Sequence, residues 1–201
     1  RYLMELGEYP WSARYAWVQD RYGVSWQVIQ ASDVPGGQVV VPCLMFSGAA
    51  HGRAEEALHH YAAVFAGGRV DALVPYEAHE GPAGTIKHGR ASLGGRQLVA
   101  MDSHLEHDAP FNEALSLQVY CRDQAEVDHY WARLADGGEE GPCGWLKDRF
   151  GVSWQVVPTV FIEMMKAGET AGPGYERAFQ ALLGMRKIDI AALEAAFAGH
   201  E

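Results

Sequence analysis

Thirteen residues occur twice in this chain, and the distance between the copies limits what it can fold into. Trp17-Val-Gln-Asp-Arg-Tyr-Gly-Val-Ser-Trp-Gln-Val-Ile29 returns 128 residues later as Trp145-Leu-Lys-Asp-Arg-Phe-Gly-Val-Ser-Trp-Gln-Val-Val157, with nine of the thirteen positions identical. The match extends backwards without a gap, setting Tyr2 on Tyr130 and Leu6 on Leu134. A period this long exceeds any solenoid unit and reads as two copies of a whole domain. The first copy ends at residue 29. Residues 1–29 are therefore expected to be the closing hairpin of a first domain whose remainder would precede Arg1, followed by a linker over 30–41.

Local patterns place the other elements. Leu44-Met-Phe46 is an apolar run stopped by Ser47-Gly48, as a buried strand would be. Ala54, Ala57, Leu58, Tyr61, Val64 and Phe65 then recur at helical spacing, with Glu55, Glu56, His59 and His60 on the solvated side. Strand-like stretches follow at about 69–76, 84–92 and 96–102, and Gly94-Gly95 punctuates the last two as a tight hairpin. The order β-α-β-β-β then begins again. Leu115, Leu117 and Val119 alternate with Ser116, Gln118 and Tyr120, predicting a strand over 114–121 with the leucines and valine buried. Asp123 is an N-cap, and Glu126 completes a capping box for a helix whose buried stripe is Val127, Tyr130, Trp131 and Leu134. The repeated hairpin closes the unit, turning at Asp148-Arg-Phe-Gly151, where Gly151 can take positive φ. Residues 42–158 thus read as one complete domain.

Beyond Pro158 the pattern is helical. Phe161, Met164 and Met165 mark a first helix, and Tyr175, Phe179, Leu182 and Leu183 a second. Asp189 caps a third that presents Ile190, Leu193 and Phe197. The tail over 159–201 is expected to pack on the domain or on a partner copy.

Composition excludes some partners. Sixteen basic against 26 acidic side chains give −10, which argues against nucleic acid and anionic membrane. No apolar run approaches the roughly 20 residues of a membrane span. Cys43, Cys121 and Cys143 are odd in number and widely spaced, the usage of buried reduced thiols in a cytoplasmic protein.

Several strings resemble the PhnB-like branch of the vicinal oxygen chelate (glyoxalase/bleomycin-resistance) superfamily, often labelled a 3-demethylubiquinone-9 3-methyltransferase domain. They are Leu44-Met-Phe-Ser-Gly with Ala54-Glu-Glu-Ala, Val99-Ala-Met-Asp-Ser103, the repeated hairpin, and Met185-Arg-Lys-Ile-Asp-Ile-Ala-Ala-Leu. The resemblance implies an α+β fold of paired βαβββ modules whose strands curl into a mixed-sheet cup, with a C-terminal helical tail. Superfamily membership leaves function open among isomerases, dioxygenases, thiol transferases and drug-sequestering proteins, so function must be argued from the site. The methyltransferase label implies a nucleotide-like cofactor, for which a glycine-rich loop between strand and helix is expected. Gly94-Gly95 lies between two strands and Gly172-Pro-Gly174 lies in the helical tail.

Strand parity selects the candidate site. In 152–157, Val152, Trp154 and Val156 share a face that should pack under the helix, sending Ser153 and Gln155 into the cup. Ser116, Gln118 and Tyr120 point inward by the same logic, and Asp102 ends a strand expected to border the cup. In metal-using members the last strand carries a glutamate ligand, and Gln155 falls on that position. An amide is a poorer ligand for a divalent ion than a carboxylate. The module-opening strands offer only Cys43 and Ser116 where a histidine or acid is usual. We therefore expect a small-molecule ligand and no cofactor, with a metal-dependent enzyme as the alternative. Pairing with a second chain stays open. His104 and His107, with Asp102, Glu106 and Asp108 around them, have metal-like composition but read as a solvated loop. Trp17, Trp26, Trp145 and Trp154 read as core, and Asp148 and Arg149 as turn residues. No catalytic triad emerges from spacing.

Overall fold

A computed structural model describes residues 1–31, 34, 37–105, 107 and 110–199, with the side chains of 167–171 excepted. The chain divides into two compact units, Arg1–Val41 and Pro42–Glu201.

The first unit is a three-stranded antiparallel meander of β1 (Tyr2–Tyr9), β2 (Ser12–Gln19) and β3 (Ser25–Ile29). Tyr9, Trp11 and Tyr15 pack ring against ring at its β1–β2 end. The gapless backward match to residues 130–134 does not carry structure. Tyr2 and Leu6 lie in a strand, whereas Tyr130 and Leu134 lie in a helix. Gly7 and Pro10 interrupt any helical run there, and β2 offers an antiparallel hydrogen-bonding edge instead.

The second unit holds two modules of the same topology. In the first, β4 (Cys43–Phe46) leads through α1 (Ala54–Val64) to β5 (Arg69–Pro75), β6 (Ile86–Leu93) and β7 (Arg96–Asp102). The sheet order is β4-β7-β6-β5, with β4 parallel to β7. In the second, β8 (Ser116–Cys121) leads through α2 (Gln124–Leu134) to β9 (Glu139–Glu140), β10 (Trp145–Lys147) and β11 (Ser153–Pro158). The order is β8-β11-β10-β9, with β8 parallel to β11. The expected twin βαβββ arrangement is therefore present. Gly94 and Gly95 both take positive φ, as the two-residue hairpin between β6 and β7 requires.

α2 starts as its sequence indicates. The Asp123 carboxylate accepts from Glu126 N at 2.9 Å. The return bond from Glu126 goes to Arg122 N, one residue before the cap. The predicted strand 114–121 begins two residues later than expected. Leu115, expected to be buried, is 58 % exposed in the preceding loop. Leu117 and Val119 do face the core.

A single core spans both modules. Phe46 meets Phe111 and Phe150 edge-on, and Phe65 tilts against Trp154 and Tyr130. The Arg53 guanidinium lies 4.4 Å from the Phe150 ring centre and donates to Arg149 O at 2.8 Å. The closing hairpin of the second module thus roofs the helix of the first. His60, expected on a solvated face, is half-buried edge-on to Phe150, and burial holds its imidazole pKa below the usual value.

α3 (Thr159–Ala171), α4 (Pro173–Leu183) and α5 (Ile190–Ala198) pack back on the second module. Phe161, Met164, Ala178, Leu182, Ile188 and Leu193 form their core. The Gln124 side chain bonds both Ile188 O and Ile190 N, and Cys143 N and Gly144 N donate to Met185 O and Arg186 O. Gly144 takes φ +81°, and a Cβ there would fall 2.6 Å from Val156 O and 2.9 Å from Ile188 Cδ1. Gly144→Ala is expected to cost about 2–4 kcal/mol through left-handed strain and the clash, read as a lowered urea midpoint without loss of cooperativity.

Candidate functional site

The repeated hairpin has a physical reason for its residues. In each copy one aspartate organises the turn. Asp148 accepts from Phe150 N at 2.9 Å, Val152 N at 3.0 Å and Trp154 Nε1 at 2.8 Å. Asp20 does the same with Tyr22 N at 2.8 Å, Val24 N at 3.0 Å and Trp26 Nε1 at 3.0 Å. Gly23 and Gly151 take nearly the same positive φ, 88° and 87°. The string Asp-Arg-aromatic-Gly-Val-Ser-Trp is thus a self-contained clamp, and Asp148 and Arg149 are not an acid/base pair. The Trp26 bond, followed by the backbone donors, holds the Asp20 carboxyl below its usual range. The copies differ in cover. In the second, the Tyr61 hydroxyl adds a 2.6 Å bond to Asp148 and Trp154 is 2 % exposed, while Trp26 is 44 % exposed.

The other face of β8 and β11 carries the candidate site. Their parallel register sets Ser153 beside Ser116, Gln155 beside Gln118 and Val157 beside Tyr120. Residues side by side in a parallel ladder share a face. Trp154 and Val156 fill the opposite, helix-covered face. Gln155 Nε2 donates to Ser116 Oγ at 2.7 Å, and Gln118 Nε2 approaches Gln155 Oε1 at 3.4 Å. Gln118 and Tyr120 are exposed, whereas Ser153 is buried and its hydroxyl has no hydrogen-bond partner. Gln27, the counterpart of Gln155 in the first unit, accepts from the Tyr15 hydroxyl at 3.0 Å.

Asp102 does not join this group. It shares parity with Leu98 and Ala100 on the helix side of β7 and is buried. Its carboxylate accepts from Gly52 N, Ala54 N and Ile86 N at 2.8, 3.2 and 2.8 Å. It therefore ties the start of α1 to the start of β6. Its place at the end of a strand expected to border the cup pointed to the site, whereas the observed alternation of 98–102 sets it on the apolar side.

The open face of the first sheet was not read from the sequence. The β6–β7 register puts Arg90 beside Val99 and Ser92 beside Gln97. Asp71 accepts from Ser92 Oγ at 2.7 Å and Gln97 Nε2 at 3.3 Å and pairs with Arg69 at 2.7 Å. Burial pushes its carboxyl upward, but these donors outweigh burial and leave it below its usual range. His88, on the same face, is held low by burial and by Arg90.

The donor set does not suit a metal. Gln155, Gln118 and Ser116 are neutral oxygen donors, and burial pushes the Cys43 thiol up to about 12, far from the thiolate that ligates. Among the described residues, no group of three His, Cys, Asp or Glu could hold an ion. His107 Nε2 bonds Ser103 Oγ at 2.8 Å and His104 is exposed. Glu106 and Asp108 lie outside the described residues. No described helix is long and apolar enough to cross a membrane.

Paired βαβββ modules with curved mixed sheets define the architecture of the vicinal oxygen chelate superfamily. Residues 38–157 match the family described as 3-demethylubiquinone-9 3-methyltransferase, and the chain belongs to that family. It is similar to the PhnB protein of Bacillus cereus, with 31% identity and a TM-score of 0.54, covering 60% of this chain and 99% of that one. It is also similar to protein PA1353 of Pseudomonas aeruginosa, with 28% identity and a TM-score of 0.51, covering 59% and 96%. No match was found among the curated proteins.

Proposed function

We propose that the chain binds a small organic ligand on the open face of β8 and β11, using neutral amides and hydroxyls in place of a metal. The observation that carries this reading is the Gln155–Ser116–Gln118 set. Gln155 stands where metal-using members are expected to hold an acid, and its amide is oriented by Ser116. A side chain fixed by one neighbour offers its remaining donor and acceptor at little further entropic cost. Methyl transfer finds no support in the glycines: Gly94-Gly95 turns between strands, and Gly172 separates two helices.

Two measurements test the reading. Protein purified without chelator or affinity tag should contain no stoichiometric divalent ion. A stoichiometric ion that is lost on Gln155→Ala sinks the proposal and favours a metal-dependent enzyme. A thermal-shift screen of small oxygenated compounds should yield a stabilising ligand. Gln155→Ala should weaken that ligand by roughly three- to tenfold, the loss of one neutral hydrogen bond.

A further inference from the structure

A second concavity borders the amide face through Ser153 and is lined by residues of both modules. It offers about 170 Å³, open to solvent at its rim, and is lined chiefly by Leu44 of β4, Leu117 of β8, Val152 and Ser153 at the entry to β11, and Phe111 and Leu115 of the loop before β8. Leu44, Leu117 and Val152 belong to the shared core. Phe111 is braced edge-on against Phe46 at 5.1 Å. The wall is thus held by packed side chains of both modules.

Its polar groups are few and unequal. Asn112 also lines the pocket, but its amide shapes the loop, accepting from Ala114 N at 2.9 Å and donating to Pro110 O at 3.4 Å. Ser153 is 1 % exposed, and its hydroxyl has no hydrogen-bond partner. A buried hydroxyl left unpaired is unfavourable, so a native fold keeps one where something else satisfies it. Replacing this serine by alanine would fill the same space without that cost. Leu115, at the rim, is a large apolar side chain left 58 % exposed.

We propose that this seam pocket is a binding site for a small, single-ring molecule that carries one hydroxyl or carbonyl group. The volume sets the size: an apolar cavity of about 150 Å³ stays dry and admits benzene. The lining sets the character, since leucine, valine and phenylalanine reward an apolar body. The Ser153 hydroxyl sets the one polar feature, donating to or accepting from the ligand's oxygen. Leu115 closes over the ring and loses its exposure on binding.

Phenol and toluene probe the site on the 201-residue chain carrying 13C-labelled leucine and valine methyl groups. Phenol should shift the methyl resonances of Leu44, Leu117 and Val152 saturably, and toluene should do so with roughly fivefold weaker affinity, the worth of one hydrogen bond. Ser153→Ala should bring phenol down to the toluene level without lowering the melting temperature. Leu117→Phe, which fills the pocket, should abolish both. Should that variant not fold, Leu115→Phe at the exposed rim does the same blocking with no core load. The proposal is overturned if neither probe shifts these methyls saturably, if the blocked variants bind as well as the parent, or if phenol and toluene bind equally. The first outcome would leave water as the partner of Ser153. Ser153 borders both sites, but Gln155 does not line this pocket, so the readout at these methyls stands or fails separately from the Gln155→Ala test.

Discussion

Asp148→Ala is expected to be the most damaging single substitution in the second unit, lowering its unfolding free energy by about 3–5 kcal/mol. The buried carboxylate accepts from the Tyr61 hydroxyl, Trp154 Nε1 and the backbone of Phe150 and Val152. Removing it strands those donors in a core that water does not reach. A loss of that size is a large share of the 5–15 kcal/mol typical of a domain. Asp20→Ala in the first copy deletes the same turn bonds, yet Trp26 and β3 are exposed and water replaces the lost acceptor. Its cost should be much the smaller of the two. Urea unfolding of the two variants, followed by tryptophan fluorescence, reads the contrast. Equal effects would mean that the turn bonds alone set the cost and that burial under α1 contributes nothing.

Asp102→Ala should follow at about 2–4 kcal/mol, because three backbone donors lose their acceptor. Asp102→Asn separates a structural role from a ligand-binding one. The amide oxygen can still accept from Gly52 and Ala54, while its NH2 group confronts Ile86 N, so about 1–2 kcal/mol should be lost. Ligand affinity on the β8–β11 face should not change in either folded variant. A drop in affinity at unchanged stability would return Asp102 to the binding face.

Both predictions turn on residues whose types were conspicuous in the sequence and whose roles were not. Asp148 was read as a turn residue, and its bonds to Phe150, Val152 and Trp154 are local enough to follow from the motif. Its bond to Tyr61 crosses 87 residues, and no local pattern announces that. Asp102 has the opposite history. Its position at the end of a strand expected to border the cup suggested a ligand role, yet in the structure it shares a face with Leu98 and Ala100. The backbone donors of Gly52, Ala54 and Ile86 decide the matter, and they come from the turn into α1 and from the starts of α1 and β6.

The amide face was legible because parity is a local property. Once Trp154 and Val156 are assigned to the core, Gln155 has one side left, and the parallel register with β8 delivers Ser116 and Gln118 beside it. Leu115 was misplaced because alternation continues past the strand's end, where chain direction, not side-chain chemistry, determines burial. Tyr2 and Leu6 show the converse. Their alignment with Tyr130 and Leu134 does not extend to structure, because hydrogen bonding to β2 makes a strand where residues 124–134 are helical.

The sequence by itself therefore determined the paired-module topology, the hairpin clamp, the helix caps and the side of β11 that presents Gln155. Each of these is written in periodicity, turn chemistry or capping over fewer than about ten residues. Only the tertiary structure decided that Asp102 is a brace, that His60 is half-buried, that Asp148 joins two modules and that Ser153 has a seam pocket beside it. Those outcomes depend on which distant surfaces meet, and a residue carries no local mark of a neighbour that packing alone supplies.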